Sequence, residues 1–167
     1  VIPGLRGWAD ARRNEGHEVH LVHESADLTG GDVLFLVSCS EILQPAATAA
    51  YEATLVLHAS KLPQGRGWSP YIWAVIDGAD EIHLCLLEAA EPVDTGDIWL
   101  RTSFTLQGHE LLPEIHERLF ACERELMTRA IHEWGSIAPE RQTGPRSTPL
   151  RRRSRADSAL DPERSIA

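Results

Sequence analysis

The segment His58-Ala59-Ser60-Lys61-Leu62-Pro63-Gln64-Gly65-Arg66-Gly67-Trp68-Ser69-Pro70 concentrates the groups in this chain that could do chemistry. An imidazole exchanges protons near neutrality, because the pKa of an unperturbed histidine is about 6.5. Glycines on both sides of Arg66 permit tight turns and close approach of a ligand to the backbone. A second segment, Val93-Asp94-Thr95-Gly96-Asp97, follows at a fixed distance, with Asp94 36 residues after His58. A carboxylate brought against an imidazole orients the ring and relays protons through water. Taken singly, each segment has a plainer reading. A histidine at a strand end is more often structural, and an aspartate in a turn commonly hydrogen-bonds its own backbone.

The pattern of the chain predicts the elements that must hold these groups. Residues 54–58 form an apolar run closed by His58, and residues 32–38 form another. Such continuous runs suit strands buried on both faces, as in a parallel sheet. Helical stretches at 5–13 and 45–52 alternate with strands at 17–23, 32–38 and 54–58. That alternation predicts an α/β sheet of the doubly wound, mostly parallel kind. Ligands of such sheets bind beyond the carboxyl ends of the strands, which is where His58 falls. Ser69-Pro70 opens a further helix, with Ser as cap and Pro at the first helical position. Strands at 81–88 and 97–106 flank the Asp94 turn. The longest helix, from about 110 to 134, carries Leu112, Ile115, Leu119, Cys122, Leu126, Ala130 and Trp134 on one stripe.

Composition narrows the function. The chain has 167 residues, of which 43% are apolar, enough for one core. No apolar run approaches the roughly 20 residues of a membrane span, so no membrane partner is expected. Cys39, Cys85 and Cys122 are far apart, with no CxxC, and two of them sit within apolar segments, which predicts reduced, packed thiols in a cytoplasmic protein. The net charge of −9 divides into −13 over residues 1–140 and +4 over residues 141–167. An acidic body argues against a nucleic-acid surface, and the run Arg151-Arg152-Arg153 with Arg155 is the best argument for tRNA contact. No metal site is expected: on a strand His20 faces away from His17 and His23, and His109-Glu110 lacks the His-Glu-x-x-His spacing. There is no Gly-x-Ser-x-Gly elbow, no phosphate-binding P-loop and no Gly-x-Gly-x-x-Gly.

Taken together, the two segments resemble the folate-dependent formyltransferase family, which includes methionyl-tRNA, glycinamide ribonucleotide and amino-sugar formyltransferases. The family pattern Asn-x-His-x-Ser-x-Leu-Pro-x-x-Arg-Gly-x-x-Pro is matched by His58, Ser60, Leu62, Pro63, Arg66, Gly67 and Pro70. The later Leu-Asp-x-Gly-Asp turn is matched by Asp94, Gly96 and Asp97 at the family separation. The resemblance extends more weakly over residues 32–135. It implies a Rossmann-like three-layer fold and transfer of a formyl group from 10-formyltetrahydrofolate to a primary amine. By the same resemblance His58 and Asp94 are the catalytic pair. Ser60, Leu62, Arg66, Gly67 and Asp97 are carried over as the residues that bind the formyl donor.

The chain departs from the pattern in two places. Val56 stands where the family has its catalytic Asn, and Val donates no hydrogen bond. Members also begin with a short strand, whereas this sequence enters at its first helix, so a fragment is expected. Residues 1–138 are assigned to the formyltransferase-like domain. Residues 139–167, rich in Arg, Pro and Ser, are assigned to a linker or disordered tail, with 161–167 the opening of a further segment. Three functions follow: a formyltransferase acting on a small amine, for which a nucleotide-linked amino sugar is the candidate; a catalytically impaired folate-binding or regulatory module; or a formyltetrahydrofolate hydrolase. Nothing in the sequence reads on oligomeric state.

Overall fold

A computed structural model of the protein describes residues 2–39, 41–145 and 149–159; the stretch 161–167 lies outside the described residues. The chain runs through α1 (Leu5–Asn14), β1 (Gly31–Leu36), α2 (Pro45–Thr48), β2 (Tyr51–His58), α3 (Pro70–Ile76), β3 (Glu81–Glu88), β4 (Ile98–Thr105) and α4 (Leu112–His132). The strands form one sheet in the order β1-β2-β3-β4. β1 and β2 are parallel, with Leu36 opposite Val56. β2 pairs antiparallel with β3, placing His58 opposite Cys85, and β3 pairs antiparallel with β4.

The α/β class predicted from the strand and helix alternation is what the chain adopts, in the Rossmann-like form that the family resemblance implies. Its sheet is mixed, because the parallel pairing predicted from the apolar runs is confined to β1 and β2. The connection from β3 to β4 is the short turn that carries Asp94, and a turn of that length joins only antiparallel neighbours. A parallel crossover needs a dozen or more residues.

Residues 17–23, expected as a strand, form none. Their alternation is real, but His17, His20, Leu21, Val22 and His23 are all exposed, and no strand among the described residues pairs with them. Periodicity without a partner leaves an extended segment.

Pro70 opens α3 as predicted, but the Ser69 side chain makes no capping bond, because Ser69 sits in the left-handed region at φ 52°. α4 begins two residues later than predicted, with Pro113 in its first turn. The Glu114 carboxylate accepts the Leu111 N–H at 2.7 Å and closes that end.

The two faces of the sheet bury different things. On one face Leu55, Leu84, Leu86 and Leu100 pack on Leu119, Leu126 and Ala130 of α4. On the other, Leu62, Cys85, Leu87 and Ile98 form a smaller cluster with Val56 packed against it. Strand alternation puts Val56 and His58 together on this second face. The sheet and α4 therefore supply the stability, and the opposite face is left to carry the site.

Candidate active site

His58 is the last residue of β2, and Asp94 sits in the turn between β3 and β4. The fold brings them together, with Asp94 Oδ1 3.4 Å from His58 Nδ1 and both side chains largely buried, at 7% and 11% exposure. The other ring nitrogen, Nε2, lies 2.8 Å from the Gly65 carbonyl oxygen. A carbonyl only accepts, so this contact assigns a hydrogen to Nε2. The imidazole is thus hydrogen-bonded at Nε2 and faces a carboxylate at Nδ1.

Asp94 adopts a left-handed backbone, at φ 60°. For a residue other than Gly this costs about 1–2 kcal/mol, so neighbouring contacts must hold it. One of them is the second carboxylate oxygen, Oδ2, which accepts the Gly67 N–H at 2.8 Å. The two motif glycines have distinct reasons to be Gly. A Cβ on Gly96 would stand 2.0 Å from the Glu88 carbonyl oxygen, where the turn presses against the end of β3. Gly67 has φ 104°, and a Cβ there would stand 2.3 Å from the Leu150 carbonyl oxygen.

The remaining motif residues are brought to the same loop but take different parts. The Ser60 hydroxyl donates to the Gln64 carbonyl at 2.9 Å and closes the loop on itself. Leu62 is packed in the cluster under the site, and its carbonyl accepts from Arg101 Nη1 at 3.2 Å. Arg66 donates to Gln142 Oε1 at 2.5 Å, while its Nε is buried without a hydrogen-bond partner. Asp97 is half-buried, and its carbonyl accepts the Glu88 N–H at 2.9 Å. Val56 faces the same side of β2 as His58 and offers only methyl groups.

The sequence reading missed what the segment beyond α4 contributes. Glu140 forms an antiparallel bridge with Ile98, and Leu150 a parallel bridge with Gly67. Between them, Gln142 Nε2 donates to the carbonyls of Asp94 at 2.9 Å and Gly96 at 2.8 Å. Nothing in a stretch of Pro, Ser, Thr and Arg announces such a contact, since it has no periodicity to read. The arginines expected as a charge run lie on aromatic faces, with Arg151 4.8 Å above Trp73 and Arg152 4.4 Å above Trp68. Arg151 also pairs with Asp157 at 2.8 Å. Among the described residues no group of three His, Cys, Asp or Glu could hold a metal. No helix among them is long and apolar enough to cross a membrane.

A methionyl-tRNA formyltransferase of Ruegeria pomeroyi is 29% identical over 133 residues, which cover 79% of this chain and 44% of that one. One from Anaeromyxobacter sp. (strain K) is 29% identical over 166 residues, covering 95% of this chain and 53% of the other. The chain thus spans about half the length of the curated relatives it matches. In fold it is similar to a methionyl-tRNA formyltransferase from Clostridium thermocellum. That match has a TM-score of 0.82 at 17% identity and covers 98% of this chain and 74% of that one. It is also similar to an N-formyltransferase from Helicobacter canadensis in complex with folinic acid and dTDP-3-aminofucose. There the TM-score is 0.65 at 14% identity, over 88% of this chain and 54% of that one. Residues 6–131, which contain β1 to β4, His58 and Asp94, match the profile of the family described as Formyl transferase. The paired motifs, the sheet that joins them and this match agree, and the chain belongs to the formyl transferase family.

Proposed function

We propose that this protein transfers a formyl group from 10-formyltetrahydrofolate to a primary amine, with His58 and Asp94 as the catalytic pair. The observation that carries the reading is the His58–Asp94 contact at 3.4 Å at the carboxyl end of β2. The donor set fits the chemistry: one N–H for a formyl oxygen and one carboxylate for the proton of an attacking amine. A bound 10-formyltetrahydrofolate supplies the electrophilic formyl carbon.

The chain's own residues then have these roles. His58 Nε2–H exchanges the Gly65 carbonyl for the formyl oxygen and stabilises the negative charge that develops there. Such a donor is worth about 10²–10³ in turnover. Asp94 holds the ring through Nδ1 and takes up the amine proton through a water molecule; as the formyl carbon bonds to the amine its bond to N10 of the donor breaks, and the proton passes to that nitrogen to release tetrahydrofolate. The Gly67 N–H on Oδ2 keeps that carboxylate aimed at the ring. Ser60, Leu62, Arg66, Gly67 and Asp97 act indirectly in this scheme, by setting the shape of the loop and turn that receive the formyl donor.

Two acceptor classes follow from the relatives. The sequence relatives quoted are named for methionyl-tRNA, and one structural neighbour holds an amino-sugar nucleotide. The acidic body, at −13 over residues 1–140, favours a small amine over tRNA. Val56 favours a second reading, in which the fold binds folate but transfers slowly because one oxyanion donor is lacking. A formyltetrahydrofolate hydrolase, with water in place of the amine, uses the same pair.

Calorimetric titration with a stable 10-formyltetrahydrofolate analogue tests the shared premise. Saturable binding by the folded protein supports all three readings and opens an acceptor screen; no binding contradicts them together. Formate release without any amine singles out the hydrolase.

A further inference from the structure

We infer that Gln142 is a positioning residue for Asp94, clamping the turn in the shape that aims its carboxylate at His58. Its consequence for turnover rests on the formyl-transfer reading above; its placement rests on geometry alone. Gln142 lies outside both motifs and beyond residues 6–131, the part that matches the family profile.

All the polar atoms of its carboxamide are committed to the site. Nε2 donates to the carbonyls of Asp94 and Gly96, at 2.9 and 2.8 Å, which lie on either side of Thr95. Oε1 accepts from Arg66 Nη2 at 2.5 Å. One side chain therefore ties the Arg66–Gly67 wall of the site to the Asp94–Gly96 wall. The two walls also meet directly where the Gly67 N–H donates to Asp94 Oδ2.

The backbone that delivers Gln142 is anchored two residues earlier. Glu140 and Ile98 exchange N–H···O bonds of 2.8 and 2.9 Å at the start of β4. Asp94 is held in a left-handed conformation that persists only where its surroundings over-determine it. A double donor on the two carbonyls of that turn supplies such a constraint. The amide is neutral, so it acts by holding geometry and adds no charge to the His58–Asp94 pair.

Two variants separate this role from mere packing. Gln142→Glu keeps the length and the oxygen facing Arg66, but turns a double donor into an acceptor against two carbonyls. Gln142→Ala removes every contact. Hydrogen exchange of the Gly67 amide, read by NMR on the full chain, reports whether Asp94 still holds it. The Leu86 amide, in the core, controls for global unfolding. Both variants are expected to speed Gly67 exchange about tenfold relative to Leu86. Where transfer is measurable, both lower kcat about tenfold and leave the KM for 10-formyltetrahydrofolate within twofold. In an Asp94→Asn background Gln142→Ala is expected to add no further loss.

Wild-type Gly67 exchange in Gln142→Glu would overturn the inference and leave the carboxamide as a partner for Arg66 alone. Faster Gly67 exchange in a protein that shows no formyl transfer supports the clamp and counts only against the functional reading.

Discussion

At the scale of single residues, the account depends on what each side chain can donate or accept. His58→Ala removes the N–H assigned to the formyl oxygen and is expected to lower turnover about 10²–10³-fold. Asp94→Asn keeps the shape but cannot take a proton, and a loss of similar size is expected. Donor affinity by calorimetry should change little in either variant. Val56→Asn places a donor on the same face of β2 as His58 and is expected to raise turnover; unchanged turnover would show that Val56 is not what limits the protein. These residues were singled out in the sequence through the resemblance of the two motifs to the formyltransferase pattern, since taken singly each had a plainer reading. Val56 was legible as a departure for the same reason. Gln142 was not, since its part depends on three hydrogen bonds that only the fold creates.

At the scale of elements, what the sequence hid was mostly partnership. The stripe on α4 was read from its steps of three and four, and Ile115, Leu119, Leu126 and Ala130 are buried as it requires. The ends of the stripe, Leu112 and Trp134, are exposed, and Trp134 lies just past the end of the helix with its ring 5.2 Å from that of Trp99 on β4. Glu123 breaks the pattern from within: it is buried, and its Oε2 has no hydrogen-bond partner. Burial pushes its carboxyl up from 4.5 to about 7, with Arg124 opposing. The folded protein therefore keeps a proton that the unfolded chain releases across that window. Stability from this residue is undiminished below pH 4.5, declines as pH rises to 7, and is lowest above. The penalty is on the order of 3 kcal/mol at 1.36 kcal/mol per pKa unit. Urea unfolding across pH 4.5–8 should show this decline in the wild type and a flatter profile in Glu123→Gln. Equal profiles would mean that the carboxylate finds a partner or water. At the site turn, Gly96→Ala drives a methyl into the Glu88 carbonyl. It is expected to cost about 1–3 kcal/mol and to weaken binding of the formyl-donor analogue.

At the scale of the whole molecule, one sheet divides the labour between its faces. α4 and Leu84, Leu86 and Leu100 stabilise the fold, and Leu86→Ala is expected to cost about 2–5 kcal/mol. The opposite face carries the loop, the turn and the segment that runs back from α4 across both. That class of fold was readable from alternating elements, whereas the mixed direction of the sheet was not, because apolar runs do not record which way a strand points. The charge division of the chain acquires a structural sense, since Arg151 and Arg152 of the basic end lie on Trp73 and Trp68 beside the site loop. The central claim is that His58 and Asp94 move a formyl group. Its most direct test follows radiolabelled formyl from 10-formyltetrahydrofolate into amines, with wild type, His58→Ala and Asp94→Asn assayed side by side against amino-sugar nucleotides and methionyl-tRNA. The account predicts label on an amine with the wild type and at least a hundredfold less with either variant. Transfer that survives both substitutions at the wild-type rate would contradict it.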